Sequence, residues 1–371
     1  MKHRIVVLGA GYAGLHAAGR LARRLHPADT EITLVNAEPH FVQRIRMHQL
    51  ATGQHVARRP LRDILAGTGV TLRQARVVAV DAGHNTVTCE DGRQINFDTL
   101  VYALGSTAAA EGHHIAGEQG ALRVRDRLRA LPDGASVLVV GGGLTGIEAV
   151  TEIAESRPGL DVRIAVRGEF GDWLGDRART HLHGAAARLG ITVHEHTDGA
   201  RLPADLTVWA TGFTAHPIAG ASGVTVTDGR IVVDETMRSV SHPHVYAVGD
   251  AALAAGPGGR PLRMSCASGT PMAWQAADAI AARLTGGEPP RNTIRYHAQC
   301  ISLGRRDGII QVVTADDRAT PKALTGRPAA RVKELICAGA AWNLAHPTML
   351  LPARRRHLAV PHNPAEALTT P

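Results

Sequence analysis

The sequence predicts an α/β fold with two Rossmann-like dinucleotide-binding units, on two observations. The apolar run Val6-Val7-Leu8 ends in Gly9-Ala10-Gly11-Tyr12-Ala13-Gly14 and passes at once into a helical pattern, Leu15, Ala18, Leu21, Ala22 and Leu25. The same order recurs later: the strand-like run 136–140, then Gly141-Gly142-Gly143-Leu144-Thr145-Gly146, then Ile147-Glu148-Ala149 opening a helix. In such a unit the first glycine permits the tight turn. The second lets the backbone approach a pyrophosphate, and the third lets helix and strand pack closely. The helix then points free N–H groups and its positive end at the phosphates.

A chain of 371 residues has room for two or three domains. Its formal charge of +8 suits phosphate-bearing ligands or anionic surfaces. Aromatic residues make up only 3%, and no basic stretch alternates with stacking rings, so no nucleic-acid partner is expected. Cys89, Cys266, Cys300 and Cys337 show neither C-x-x-C nor zinc-finger spacing and read as reduced thiols. His113-His114 and His181-x-His183 lack supporting ligands, so no metal site is expected. The chain starts directly on a strand and has no run of 18 apolar residues. No signal peptide and no membrane span are expected, and the expected location is cytoplasmic.

In order, Glu31 to Val35 reads as the second parallel strand. The ribose-binding position at its end holds Asn36, with Glu38 two residues on; Glu38 is preferred because a carboxylate accepts two hydroxyl bonds. Residues 41–54 have helical spacing, with Arg44, His48 and Ala51 on one face. Alternating short strands from Gly69 to Asn96 predict a β-meander. Residues 98–106 return to the sheet. The second unit repeats the plan with strands 162–166 and 191–194, the helix 177–189, and a return at 206–213. An apolar strand then ends in Gly249-Asp250. A helix is expected from Pro271 to Leu284, and Gly286-Gly287 with Pro289-Pro290 marks a boundary. The tail holds two β-like pieces and one helix, Arg331 to Leu344, whose stripe of Val332, Leu335, Ile336, Gly339 and Trp342 reads as packed on the protein's own body or a partner subunit. The last residues are expected to fray.

These glycine motifs, in this order, resemble the two-dinucleotide-domain flavoprotein reductases with the pyridine nucleotide-disulfide reductase fold. They look most like type II NADH dehydrogenases and apoptosis-inducing-factor-like oxidoreductases. The resemblance implies an FAD domain in two segments (1–107 and 241–290), an NAD(P) domain between them (108–240), a β-meander crossover in each, and a small C-terminal α+β interface domain (291–371). It also implies FAD and NADPH or NADH as cofactors. Gly9, Gly11, Tyr12, Ala13 and Gly14 would form the FAD pyrophosphate turn, with Asn36, Glu38, Arg44, Val77, Ala103, Gly105, Ser106, Gly249 and Asp250 completing that site. Gly141, Gly143, Thr145, Gly146, Arg167, Ala210, Thr211 and Gly212 would hold the nicotinamide nucleotide. Glu148 matches a helical glutamate near the nicotinamide. Arg44, Arg46, His48 and Cys266, with Ala267, fall where relatives place groups beside the flavin.

Three departures sharpen the expectation. No cysteine pair lies in 41–54, so there is no redox disulfide, and the cysteine spacing does not match sulfide:quinone relatives. The quinone-pocket glutamines of type II NADH dehydrogenases are replaced by Ser265-Cys266-Ala267 and Pro271-Met272. The second Rossmann strand reads as ending in Arg167 instead of an acid, which favours NADPH through its 2′-phosphate. The expected activity is hydride transfer from NAD(P)H to flavin and on to a small, quinone-like acceptor. The alternatives are a flavin-dependent oxidase or dehydrogenase of a small organic substrate with a vestigial NAD(P) site, and a non-catalytic redox-sensing protein. Membrane contact is expected to be peripheral at most, through the C-terminal helix and Arg354-Arg355-Arg356, and a homodimer is allowed.

Overall fold

The strand that ends at Gly9 is apolar on both faces, as a central parallel strand must be: Ile5, Val6, Val7 and Leu8 are all buried. In the computed structural model, which describes residues 1–348 and 354–359, it is the middle of five parallel strands. Their order is Val245–Ala247, Thr99–Tyr102, His3–Leu8, Thr30–Asn36, Val70–Gln74. The second unit repeats this plan: Ser136–Val140 is the middle of a parallel sheet ordered His113–His114, Leu206–Trp209, Ser136–Val140, Asp161–Ala165, Thr192–His194. Each sheet carries its own apolar core. This is the predicted α/β architecture.

The first helix, Tyr12–Arg24, packs on Cys266–Leu284 through small buried residues, among them Ala17, Ala18, Ala273 and Ala276. Arg20 and Arg24 of the first helix both reach Asp278 of the second, at 2.6 and 3.1 Å.

Several expectations are corrected. The meander in the first unit is Val77–Asp81, Thr86–Cys89 and Gln94–Asn96; Val70–Gln74 belongs to the parallel sheet instead. The second unit has no meander, because residues 195–205 are too few for three strands and form one 3-10 turn, Gly199–Arg201. Residues 218–240 were expected in the second unit, yet Ile218, Ala219, Ile231, Val233 and Met237 join the first core. The helix expected from Pro271 starts at Cys266, because Ser265 caps it by accepting from Ser268 N at 3.4 Å.

The C-terminal unit is α+β, as predicted: an antiparallel sheet of Ala298–Ser302, Gly308–Val313 and Ala319–Thr325, covered by the helix Arg327–Ala345. It joins both cores. Ile301 and Ile309 enter the second, while Tyr296, Val313 and Leu344 enter the first. The apolar stripe of its helix does not pack on the body: Leu335 is 72% exposed, and Val332, Ile336 and Trp342 are exposed beside it. The buried face is instead Ala329, Lys333, Cys337, Ala341 and Leu344. Arg356 lies back along the end of the first helix, exchanging backbone hydrogen bonds with Arg24 and His26 at 2.9 Å. The final residues expected to fray, 360–371, lie outside the described part. Among the described residues no helix is long and apolar enough to cross a membrane.

Candidate functional site

The two glycine turns are built alike. Gly9 has φ +93°, and a Cβ there would stand 2.4 Å from the Ala103 carbonyl oxygen; one on Gly14 would stand 1.8 Å from Gly9 O. Gly141 has φ +123°, with Ala210 O at 2.4 Å, and Gly146 would meet Gly141 O at 1.8 Å. The first and third glycines therefore serve the protein's own packing. The middle ones differ: a Cβ on Gly11 or Gly143 would meet nothing within 4 Å. Both are helix N-caps with no side-chain cap and no acid in the first turn, so free N–H groups face open space. That is the arrangement a dinucleotide pyrophosphate requires, and the residues present fit both cofactors.

Around the first turn, Asn36 and Glu38 take different parts. Asn36 Oδ1 accepts from Ala10 N at 2.8 Å, and its Nδ2 donates to Glu38 O. Asn36 thus shapes the turn, while the Glu38 carboxylate stays largely open, 4.0 Å from Arg76. Gly249 has φ +70° and packs against Ala13. Next to it Asp250 accepts from Ser106 Oγ at 2.5 Å, and Arg44 donates to Ser106 Oγ at 3.2 Å. Arg44 also lies 3.5 Å from Asp250 and stacks over Phe213. Burial lowers the Arg44 pKa, and Asp250 works against that shift. Gly105, with φ +73°, faces the Arg44 guanidinium. Tyr12 stacks edge-on against Phe41, its hydroxyl buried without a partner. Val77 buries its side chain in the first core, leaving only backbone for a nucleotide. Cys266 and Ala267 are exposed at the start of their helix, and Cys266 is a free thiol.

In the second unit the register moves the ribose position. Leu8 pairs Val35 before Asn36, and Val140 pairs Ala165 before Val166. The strand ends at Ala165, so Asn36's counterpart is Val166. Arg167 stands one residue further on, exposed, its side chain without a partner among the described residues. Thr145 lies in the first turn of the helix Leu144–Ser156. Ala210, which closes on Gly141, leads into Thr211 and Gly212, whose φ is +107°.

Arg44 and His48 do not share a helical face. Arg44–Arg46 is a 3-10 turn and Met47–Ala51 a separate short helix, so Arg44 turns to Asp250 while His48 turns to Glu148. There four segments distant in sequence meet. Glu148 Oε1 accepts from Ser302 N at 3.0 Å and is in contact with Lys333 Nζ, and Glu148 Oε2 lies 3.7 Å from His48 Nδ1. Lys333 also donates to Cys300 O at 3.3 Å. Burial pushes Lys333 down to about 8, with Arg46 adding to the fall and Cys337 and Glu334 opposing it. In the sequence Lys333 stands next to Val332 of the apolar stripe, and nothing in that stripe points to it. Its flanking Ala329 and Cys337, four residues either side, were the available signal for a buried position.

His48 is 4% exposed and its pKa falls well below 6.5, first through burial and then through Lys333 and Arg46. His16 is also buried and is pushed down to about 4, by burial first and then by Arg20. Below pH 6.5 the unfolded chain takes up protons that these two sites refuse. Their stability contribution is therefore complete above pH 6.5 and falls as pH drops, by about 1.4 kcal/mol per pH unit for each. His16→Leu is expected to flatten the dependence of the denaturation midpoint on pH between 7 and 5. An unchanged slope would refute the assignment.

One group among the described residues is spaced to hold a metal: His26, Asp29 and His357. The two rings stack at 3.9 Å with 26° between planes, so their lone pairs run side by side instead of converging.

The sequence profile of the pyridine nucleotide-disulphide oxidoreductases matches residues 3–281. The chain belongs to that family. It is 32% identical over 316 residues to an NADH dehydrogenase-like protein of Mycobacterium tuberculosis (strain CDC 1551 / Oshkosh), covering 72% of this chain and 78% of that one. It is 24% identical over 387 residues to a type II NADH:quinone oxidoreductase of Staphylococcus aureus (strain MSSA476), covering 90% and 94%. Its fold is similar to NDH2 from Plasmodium falciparum in complex with NADH, with a TM-score of 0.76 and 13% identity over 94% of this chain and 98% of that one. As a member of the pyridine nucleotide-disulphide oxidoreductase family the chain is an FAD-dependent oxidoreductase of NADH dehydrogenase-like type, working with FAD and NAD(P)H.

Proposed function

We propose that this enzyme passes electrons from NAD(P)H, bound at the second glycine turn, to a small, quinone-like acceptor by way of FAD at the first. The observation that supports this most is the matched pair of uncapped turns, open only at Gly11 and Gly143. FAD, when bound, supplies the two-electron chemistry that links nicotinamide to acceptor. The chain supplies the rest. Gly9, Gly11 and Gly14 cradle one pyrophosphate, and Gly141, Gly143 and Gly146 the other. Glu38 would take the ribose hydroxyls, while Asp250, fixed by Ser106 and Arg44, would take the ribityl chain or the pyrophosphate edge of FAD. Arg44 brings buried positive charge to the flavin side of the fold. Glu148, with His48 and Lys333, is a buried acid–base group between the two units, able to hold a proton at Nζ of Lys333. Stopped-flow mixing of the yellow protein with NAD(P)H should bleach the flavin within a turnover. Flavin that stays oxidised under NAD(P)H but is bleached by an organic substrate would replace this reading with that of an oxidase with a vestigial nucleotide site.

NADPH is the cofactor we assign. Val166 offers no carboxylate to repel a 2′-phosphate, and Arg167 beside it is exposed and unengaged. A charge-assisted contact contributes about 1.5–3 kcal/mol, roughly tenfold or more in discrimination. Arg167→Glu should reverse the preference in kcat/KM; equal ratios before and after would remove the role from Arg167. The acceptor we assign is not a long-chain membrane quinone, since Ala267, Pro271 and Met272 stand where an amide would hold a quinone carbonyl.

A further inference from the structure

A polar cavity of about 510 Å³ lies between residues 43–59 and the C-terminal helix. Arg46, Arg59, Arg305 and Lys333 line it, with Glu334 and Asp307. Most of these charges are already matched. Arg46 lies 2.5 Å from Glu334, Arg305 lies 3.8 Å from the buried Glu152, and Lys333 contacts Glu148. Asp307 is held by His181 and Arg188, at 2.7 and 2.6 Å. Arg59 is the exception: its side chain has no hydrogen-bond or ion-pair partner among the described residues, and its Nε is buried. A half-buried guanidinium in a cavity wall with neither acceptor nor counter-charge is costly, and an anion in the cavity supplies both. Gln54, on the same wall, likewise leaves Oε1 buried without a donor. The cavity borders the segment that carries Arg44 and the group around Glu148, for Gln43 and Ile45 line it on one side and Lys333, in contact with Glu148, on the other. Its apolar lining is slight, chiefly Ile45, Val56 and small residues of the C-terminal helix, which is poor accommodation for a long hydrocarbon tail.

We propose that this cavity binds a small planar quinone through an anionic substituent, a carboxylate or sulfonate, held by Arg59. The assignment rests on the electron-transfer reading above and names its acceptor class. Across the reaction NAD(P)H gives up a hydride, and the quinone gains those two electrons with that proton and one from water. The products are NAD(P)⁺ and a hydroquinone that keeps its anionic group.

Equilibrium dialysis of the FAD-loaded protein against anthraquinone-2-sulfonate and 2-(hydroxymethyl)anthraquinone compares one ring system with and without charge. The sulfonate should bind roughly tenfold tighter or better. That advantage should vanish in Arg59→Ala, return in large part in Arg59→Lys, and shrink with added salt. A sulfonate that binds no tighter than the alcohol, or an advantage that survives in Arg59→Ala, overturns the proposal. Flavin bleaching by NAD(P)H in the unaltered protein reads the electron-transfer proposal separately, so failure of one is distinguishable from failure of the other.

Discussion

Gly11→Val is expected to give a folded, colourless protein. A Cβ at this position meets nothing of the protein within 4 Å, so the fold should survive. The added side chain would occupy the space in front of the uncapped helix, where the pyrophosphate must approach. Losing two charge-assisted hydrogen bonds of about 1.5–3 kcal/mol each lowers FAD affinity by about two to four orders of magnitude. Absorbance near the flavin band, together with an unchanged circular dichroism spectrum, checks this. Gly143→Val is the companion: it should stay yellow but no longer be bleached by NAD(P)H. Gly14→Ala should behave differently from both, since its Cβ would lie 1.8 Å from Gly9 O and strain the fold itself. A Gly11→Val protein with full flavin content would remove the first turn as the FAD site.

The second large effect is expected at the buried pair Glu148–Lys333. Lys333→Met leaves the Glu148 carboxylate with only Ser302 N and a neutral His48 for company. Breaking a buried pair on one side costs about 3–5 kcal/mol, because the remaining charge is uncompensated. The double change Lys333→Met with Glu148→Met should recover most of that loss. Denaturant midpoints of the flavin-loaded proteins measure it. A single variant as stable as the parent would show that the pair carries no such energy. The same site bears on catalysis: Glu148→Gln, which keeps the shape and removes the charge, should alter the pH profile of flavin bleaching.

The two glycine turns were legible because strand, turn and helix are contiguous, and the positive φ of Gly9 and the contact of Gly14 with Gly9 O arise within the same short stretch, although Ala103 O, from a distant strand, closes on Gly9 as well. The Asp250 motif was legible for the same reason. The acid at the end of a strand was harder. Asn36 and Glu38 are equivalent on spacing, and only the bond from Ala10 N to Asn36 shows which one the turn consumes. Arg167 was read as the strand end because the count was carried over from apolar residues, whereas the hydrogen-bonded register stops the strand at Ala165. The stripe on the C-terminal helix misled more thoroughly. Val332, Leu335, Ile336 and Trp342 face outward, and the face that packs is made of alanines, a cysteine and a lysine, with Leu344 as its one large apolar residue. Hydrophobicity alone ranks those faces in the wrong order, because close packing against a sheet selects small side chains.

By itself, the sequence determined the two dinucleotide units, their α/β class and the residues that form each turn. Those follow from backbone sterics over a few consecutive residues, which no distant contact can relax. Tertiary structure alone decided that Arg44 serves Asp250 while His48, four residues on, serves Glu148, and that Lys333 completes the latter group from the far end of the chain. It also decided that Arg59 is left without a partner at the wall of a cavity. Which charges pair depends on which surfaces are buried together. Burial is set by the joint packing of both cores with the C-terminal unit, and it leaves no periodic mark in the order of the residues.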